Sequence, residues 1–474
     1  MEDLDLVIAN GTVATASDVF RADVGIRDGR IAALGRGLPA REVIDASGKY
    51  VLPGAVDVHT HLDMPLGQGL CSSDDFATGS VAAACGGTTT IVDYAIQEKG
   101  RDLHSALQTW HDKARGRSAV DYSFHMTICD PSDAALDQMA EVVAAGVTSF
   151  KLLFAYKGAA MVDDAQFFRV MRRASELGAL VNVHCENGHV IDELVRERIA
   201  AGHTAPIDHV RSRPPRAEAA ATARAIALAE MAGAPVYIVH LTCAEALQEV
   251  RRGRERGVRV LAETCPQYLL LSEDLCDTPD FSGAKFVLSP PLRARENQAV
   301  LWCALESGEL DVVGTDHCPW FYRGQKERGL HDFRAIPNGL PGIETRLPLL
   351  FSEGFAHGRL SLPRLVAVCS TNPARIFGLY PLKGAIAPGS DADLVVVDPE
   401  ARVTLRHERL HQNVDYTPYE GLDLHGYPVL TLRRGEVIVR DGQFVGRRGA
   451  GEFLRRERFA AEWGTNTETQ RPQR

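Results

Sequence analysis

The middle of the chain alternates short apolar runs with alanine-rich amphipathic segments, and this alternation limits the possible fold more than any other feature. Segments 133–145 and 216–231 have helical spacing. The predicted strands between such segments are Ala55–His59, Thr88–Ala95, Tyr122–Ile128, Ser149–Phe154, Leu180–Cys185, Val236–Thr242, Val260–Cys265 and Asp311–Thr315. Strands and helices alternating over roughly 320 residues predict an α/β fold, a (β/α)8 barrel of the TIM type. A doubly wound open sheet is the alternative, but no GxGxxG motif follows the first run.

Both ends of the chain consist instead of short apolar runs separated by turn signals. Asp28-Gly29 near one end and Asp441-Gly442 near the other are typical hairpin turns. The two flanks predict one small β-sandwich domain built from both chain ends, with two unrelated β extensions as the alternative. The predicted boundaries are 1–53 and 385–445 for the β domain, 54–384 for the catalytic barrel and 446–474 for a C-terminal extension.

Bulk properties exclude several classes of protein. A net charge of -10 argues against a nucleic-acid partner, which would require a basic surface. No apolar stretch reaches the ~18 residues of a membrane helix, and the acidic N-terminus lacks a signal-peptide core. Ten cysteines without a CxxC pair indicate reduced thiols. We therefore expect a cytoplasmic protein with neither a membrane nor a nucleic-acid partner.

Metal-binding types of side chain stand at the ends of the predicted barrel strands, where barrels place their catalytic groups. His59 and His61, separated by one residue, point to the same face of a strand. Strands four, five, six and eight contribute Lys151, His184, His240 and Asp316. Each has a plainer explanation, such as a hydrogen-bonded core histidine or a turn aspartate. Together, at equivalent strand ends, they favour a metal centre.

Five segments carry a resemblance to a known family. They read SFKLLFAYK (149–157), KFVLSPPLR (285–293), GTDHCP (314–319), PNGLPG (337–342) and NVDYTPYEG (413–421). In these segments the chain resembles the cyclic amidohydrolases of the amidohydrolase superfamily, and among them the dihydropyrimidinase/D-hydantoinase family. The resemblance covers nearly the whole chain.

This resemblance implies two divalent metal ions, usually zinc, with manganese or cobalt as substitutes. His59, His61 and Asp316 would hold one ion, and His184 and His240 the other. Lys151 would bridge both as N6-carboxylysine. A lysine amine can lose its proton and take up carbon dioxide, whereas an arginine guanidinium stays protonated.

The resemblance also implies catalytic and substrate-binding roles. Asp316 would move a proton to the leaving nitrogen, and Tyr156 would stabilise the oxyanion. Main-chain groups at Ser289 and Asn338 would read a cyclic ureide. The implied reaction opens 5,6-dihydropyrimidines or 5-substituted hydantoins to N-carbamoyl amino acids, as in pyrimidine degradation. Relatives of this kind are commonly homotetramers or homodimers, and the segment 446–463 is a candidate interface.

Other functions stay open on the sequence alone. An allantoinase acts on a hydantoin and is hard to exclude, whereas a dihydroorotase would require an arginine near strand two, which reads DYAIQ at 93–97. A non-catalytic scaffold relative would lack the metal ligands that this chain keeps. The substrate side chain is expected to meet Leu66, Leu153, Phe154, Ala159 and Ala160. His104, His111, His189 and His209 are expected to be solvated, and Asp63, Asp74 and Asp75 to be loop or cap residues.

Overall fold

A computed structural model of the protein describes residues 4–67 and 69–459. Numbered along the chain, the strands are β1 (Leu4–Ala9), β2 (Thr12–Ala14), β3 (Val19–Arg21), β4 (Asp23–Arg27), β5 (Arg30–Gly35), β6 (Ala40–Asp45), β7 (Tyr50–Pro53), β8 (Ala55–Thr60), β9 (Pro65–Gly67), β10 (Leu70–Cys71), β11 (Thr88–Ile96), β12 (Asp121–Thr127), β13 (Ser149–Leu153), β14 (Leu180–His184), β15 (Val236–Ile238), β16 (Val260–Thr264), β17 (Val312–Val313), β18 (Leu394–Thr404), β19 (Asp423–Arg433), β20 (Glu436–Arg440) and β21 (Gln443–Phe444).

The α-helices lie mainly between the strands in the middle of the chain. They are α1 (Phe76–Cys85), α2 (Leu103–Ala114), α3 (Asp133–Ala144), α4 (Asp164–Glu176), α5 (Gly188–Ala200), α6 (Pro206–Arg211), α7 (Pro215–Ala232), α8 (Ala244–Glu255), α9 (Pro266–Leu270), α10 (Glu296–Ser307), α11 (Arg346–Leu349), α12 (Leu362–Val366) and α13 (Asn372–Ile376). Asp75 caps α1 by accepting hydrogen bonds from Ala77 N and Thr78 N, as expected of a cap residue. None of the described helices combines the length and apolar character needed to cross a bilayer.

The predicted barrel is confirmed. Eight parallel strands run in the order β8-β11-β12-β13-β14-β15-β16-β17, so each strand lies beside its neighbour along the chain. At the seam between β17 and β8, the fully buried Arg346 donates hydrogen bonds to Val56 O (3.0 Å) and Val313 O (2.8 Å). A side chain thus ties the first barrel strand to the last.

Two barrel strands end two or more residues earlier than the sequence predicts. β15 ends at Ile238 and not at Thr242, and β17 comprises only Val312–Val313. The backbone turns to φ 38° at His240 and φ 51° at Asp316. Because this left-handed conformation is incompatible with strand pairing, the chain leaves the sheet and directs both side chains toward the barrel mouth.

The two chain ends form a β domain, as predicted. A seven-stranded sheet has the order β21-β20-β19-β18-β7-β2-β3, in which Val396 of β18 pairs with Val51 of β7. A four-stranded sheet, β5-β4-β1-β6, packs against it through buried residues such as Ile8, Val24 and Leu432. The exact boundaries at 53/54, 384/385 and 445/446 stay predictions.

The C-terminal segment lies across the base of its own barrel. Tyr122 N donates to Glu452 O (2.9 Å), and Leu454 N donates back to Tyr122 O (2.7 Å). The buried Arg456 enters the barrel and contacts Ser123 Oγ (3.0 Å). The remainder of the predicted extension, 460–474, lies outside the described residues, and so does Trp463 of the predicted interface.

Candidate metal centre

Six side chains from the ends of five barrel strands converge at the carboxyl end of the barrel. They are His59, His61, Lys151, His184, His240 and Asp316, the residues that the sequence singles out. Ligand-type atoms of His59, His240 and Asp316 all lie within 4.8 Å of one another. The barrel geometry therefore brings together groups that are as much as 257 residues apart along the chain, since His59 and Asp316 differ by that number.

Asp316 lies at the centre of the first group. Its Oδ1 atom is 3.1 Å from His59 Nε2 and 3.1 Å from His61 Nε2. Burial alone would raise the pKa of the Asp316 carboxyl, but the histidines around it hold that pKa well below its usual range. Burial lowers the pKa of His61 to about 4. At neutral pH the ring is therefore uncharged and carries a proton on only one of its two nitrogens.

His184 and His240 form the second group. His184 Nδ1 lies 3.0 Å from His240 Nε2, and the His240 ring centroid is 5.4 Å from that of His59. The two groups of histidines are therefore neighbours within one cluster. Burial lowers the pKa of His240 well below its usual value, which leaves the imidazole neutral and able to act as a ligand.

Lys151 lies between the two groups. Its Nζ atom is 3.1 Å from His59 Nε2 and 4.0 Å from the centroid of the Tyr94 ring. Burial lowers the pKa of the Lys151 amine, against the opposing pull of Asp316 and Glu263. A buried amine with a lowered pKa is one that can become a neutral nucleophile.

The residues present fit a metal site. His59 Nε2 and His61 Nε2 both face Asp316 Oδ1 at 3.1 Å, and His184 Nδ1 faces His240 Nε2 at 3.0 Å. Lone pairs that converge in this way are the arrangement that a bound cation stabilises. Neutral imidazoles and an ionised carboxylate are the ligands that zinc, manganese and cobalt share.

Two carboxylates that the sequence analysis missed orient the histidine rings. Glu263 Oε1 lies 2.6 Å from His59 Nδ1, and Glu186 Oε2 lies 2.8 Å from His184 Nε2. Carboxylates in such positions fix the tautomer of a metal-binding histidine. Glu263 could have been noticed as a charged residue inside the otherwise apolar strand β16. Glu186 could have been noticed because it follows His184 by two residues.

The proposed substrate-binding residues lie near the same cluster of side chains. Tyr156, at φ 64°, has its ring centroid 5.4 Å from that of His184. Asn338 Nδ2 donates a hydrogen bond to Ser289 Oγ (3.2 Å), and Trp320 Nε1 donates to Asn338 O (3.0 Å). The segments around Ser289 and Asn338 are thus neighbours, as one ligand contacting both would require.

Some minor expectations from the sequence are wrong. His209 is not solvated: it is only 2% exposed, and its Nε2 bonds Leu288 O at 2.8 Å, beneath the Ser289 segment. The short helix α6 offered too few residues to reveal which of its faces is buried.

Phe154 cannot meet a substrate side chain, because it is fully buried with its ring centroid 4.7 Å from that of Phe167. Leu66, by contrast, is 48% exposed.

A second group of metal-binding types of side chain lies elsewhere, at Cys85, Glu344 and His411. Both carboxylate oxygens of Glu344 are already engaged by His411, Oε2 with its backbone N (2.6 Å) and Oε1 with Nδ1 (2.8 Å). The contact between Glu344 and His411 is therefore explained as a structural link between the segment that precedes α11 and the segment that precedes β19.

The geometry agrees with comparisons to known proteins. Residues 50–438 match the amidohydrolase family, and residues 1–51 match the urease alpha-subunit N-terminal domain. The chain belongs to the amidohydrolase family, and it is a hydrolase of cyclic amides.

Within that family the chain groups with the D-hydantoinases and dihydropyrimidinases. It is 48% identical over 457 residues to a D-hydantoinase of Ralstonia pickettii, an alignment that covers 96% of this chain and 100% of the relative. It is 50% identical to a D-hydantoinase of Streptomyces coelicolor, covering 95% of this chain and 97% of the relative. The crystal structure of dihydropyrimidinase from Brevibacillus agri matches with a TM-score of 0.94 and 51% identity, covering 96% of this chain and 99% of that one.

Proposed function

We propose that this protein is a binuclear metal-dependent enzyme that opens 5,6-dihydropyrimidines or 5-substituted hydantoins to N-carbamoyl amino acids. The observation that carries the proposal is the convergence of six side chains, in which His59 Nε2 and His61 Nε2 lie 3.1 Å from Asp316 Oδ1 and His184 Nδ1 lies 3.0 Å from His240 Nε2. The relatives named D-hydantoinase and dihydropyrimidinase support the choice of substrate. Their names also support a preference for the D-enantiomer of 5-substituted hydantoins.

In this proposal His59, His61 and Asp316 hold one ion, and His184 and His240 hold the other. Lys151, carboxylated on Nζ, would help to hold both ions, and the lowered pKa of its free amine supports the carboxylation. When bound, such a pair of divalent ions lowers the pKa of a water molecule and polarises the substrate carbonyl. Zinc suits this ligand set, and manganese or cobalt are substitutes.

Asp316 is the residue that moves the proton. His59 and His61 both contact its Oδ1 atom, which leaves Oδ2 to accept a proton from the attacking water. The same carboxyl then delivers that proton to the departing ring nitrogen. Its strongly lowered pKa keeps the carboxyl ionised between turnovers.

Tyr156 and two main-chain positions orient the ring. The Tyr156 hydroxyl donates a hydrogen bond to the oxygen that becomes negative in the transition state. Backbone groups at Ser289 and Asn338 pair with the alternating N–H and C=O groups of the ureide. Their support is the Ser289–Asn338 hydrogen bond together with the contact between Ser289 and Tyr156.

A substrate panel tests the proposal. We expect kcat/KM on dihydrouracil, hydantoin or a D-5-aryl hydantoin to exceed that on allantoin, with metal present at two ions per subunit. A clear preference for allantoin would establish the allantoinase alternative. Absence of both metal and ring opening would establish the scaffold alternative.

The working form of the protein is also a proposal. Eight of the ten free cysteines are buried, which supports a reducing, cytoplasmic location. We propose a homotetramer or homodimer, to be tested by light scattering, and a role in pyrimidine degradation. The domain division 1–53, 54–384, 385–445 and 446–474 is proposed with them, and limited proteolysis tests it.

A further inference from the structure

Lys326 is fully buried beside the substrate-reading segments. It begins a short 3-10 turn, Lys326–Gly329, in the loop that follows β17 and Asp316. Its Nζ atom donates hydrogen bonds to Val287 O (2.9 Å) and Pro337 O (3.1 Å). One side chain therefore spans two segments that are distant in sequence.

Those two carbonyls adjoin the positions proposed to read the ureide. Val287 lies two residues before Ser289, and Pro337 directly precedes Asn338. Gly339 N donates to the same Val287 carbonyl (3.1 Å), so that oxygen is shared between the amine and the neighbouring segment. The Lys326 amine therefore lies where it can determine the distance between the backbone at Ser289 and the backbone at Asn338.

Lys326 lies in this position without a counter-charge. Throughout 4–67 and 69–459, no carboxylate oxygen comes within ion-pair distance of its Nζ atom. Burial lowers the pKa of Lys326 to about 7, and only the thiols of Cys318 and Cys276 oppose the shift. Desolvating an amine is costly, and a methionine would fill similar space without that cost. The specific contribution of the amine is therefore its hydrogen bonds to the two carbonyls.

Lys383 provides the contrast within the same chain. It is equally buried, but its Nζ atom contacts Asp121 Oδ2 (2.7 Å), Asp393 Oδ2 (2.8 Å) and Asp391 Oδ2 (3.0 Å). That arrangement is a typical structural ion network. Lys326, with two carbonyls and no acid, is not explained in the same way.

We propose that Lys326 is a positioning residue for substrate binding, which holds the backbone groups at Ser289 and Asn338 at the spacing that the ureide requires. The inference rests on the proposed function. Lys326 does not contact the reacting atoms, and it acts through the two segments that its amine joins.

The turn that carries Lys326 is anchored independently of the amine. Lys326 N donates to Phe321 O (3.0 Å), and Gln325 Nε2 donates to Cys71 O (3.0 Å). Asp415 accepts hydrogen bonds from Tyr322 N (2.6 Å) and Arg323 N (3.0 Å). Removal of the amine should therefore loosen the two segments without unfolding the loop.

The test compares Lys326→Met with Lys383→Met in the metal-loaded enzyme, using hydantoin and dihydrouracil. For Lys326→Met we expect KM to rise about tenfold while kcat changes less than about threefold, because the lost interaction is shared by bound substrate and transition state. Metal content should equal that of the wild type. Lys383→Met should lower the melting temperature and leave KM unchanged.

An unchanged KM in folded, metal-loaded Lys326→Met would overturn the inference, and so would a loss confined to kcat. If Lys326→Met does not fold, the same measurements are made on Lys326→Gln. The glutamine amide keeps hydrogen-bond donors, but its shorter side chain cannot hold the two carbonyls at the same separation. A raised KM supports the proposal and an unchanged KM refutes it. If the wild type opens neither ring, the proposed function fails, and the role of Lys326 fails with it.

Discussion

The two ends of the barrel treat buried charge in opposite ways. At the amino end, Lys383 contacts Asp121, Asp391 and Asp393, while Arg434 contacts Asp121 as well. Asp393 Oδ1 also accepts a hydrogen bond from Arg434 N (2.7 Å). These groups satisfy one another and join the barrel to the β domain.

At the carboxyl end, several buried polar atoms lack a partner. His61 Nδ1, His240 Nδ1, Glu186 Oε1 and Asn338 Oδ1 have no hydrogen-bond partner among the described residues. The backbone there also adopts left-handed φ angles at Tyr156, His240 and Asp316. The comparison teaches that acids and bases pair with one another at the amino end, whereas the carboxyl end gathers metal-binding types of side chain around one carboxylate, as a ligand site would.

The largest expected effect comes from changing the lysine at the carboxyl end. Lys151→Arg keeps a positive charge but cannot be carboxylated. We expect bound metal to be lost and kcat/KM to fall by about 10⁴ or more, measured by elemental analysis and steady-state kinetics. Lys49→Arg, in the β domain, is the matched control and should change neither. A Lys151→Arg enzyme with full metal and normal turnover would refute the bridging role.

A smaller loss is expected from Tyr156→Phe, which removes only the hydroxyl at the carboxyl end. Because that hydroxyl acts on charge developing in the transition state, kcat should fall by about 10²–10³. KM and metal content should stay near their wild-type values. If kcat is unchanged, Tyr156 serves as a packing residue and has no catalytic role.

At the amino end, the expected effect concerns stability and not activity. Lys383→Met leaves three carboxylates without their shared cation, so the free energy of unfolding should fall by about 3–5 kcal/mol. Denaturant unfolding measures this change, and kcat/KM at 25 °C should be unaffected. A loss of activity without a loss of stability would contradict the separation of the two ends.

The smallest effect is a dependence of stability on pH that arises from Lys326. Its pKa is about 7 in the folded protein and about 10.4 in an unfolded chain, so the unfolded state binds more protons between these values. The contribution of Lys326 to stability should therefore rise with pH in this window, by about 1–3 kcal/mol. Lys326→Met should lose that rise relative to the wild type, and identical pH profiles would contradict the shift.

Much of this architecture was predictable because local patterns determine it. Alternating strands and helices predict the barrel, and a position at a strand end predicts that His59, His184 and Asp316 face one cavity. The Lys383 network was not predictable, since it joins residues from both domains across hundreds of positions.

The early ends of β15 and β17 could not be predicted from the sequence either. Strand propensity extends through Thr242, but the left-handed turn at His240 is imposed by tertiary contacts, among them the hydrogen bond from His240 N to Glu263 Oε1 (3.2 Å). Lys326 was missed for a similar reason, because its turn carries no apolar periodicity that would indicate burial. The roles assigned to the site residues stay predictions until the variants are measured.

Anomalous diffraction at the zinc edge, from crystals grown with zinc and bicarbonate, tests the central claim most directly. The account predicts two peaks per subunit, roughly 3.5–4 Å apart. They should lie among the six converging side chains, with additional density for a carboxylate on Lys151 Nζ. A cavity without anomalous signal, or a single peak beside an unmodified lysine, would contradict it.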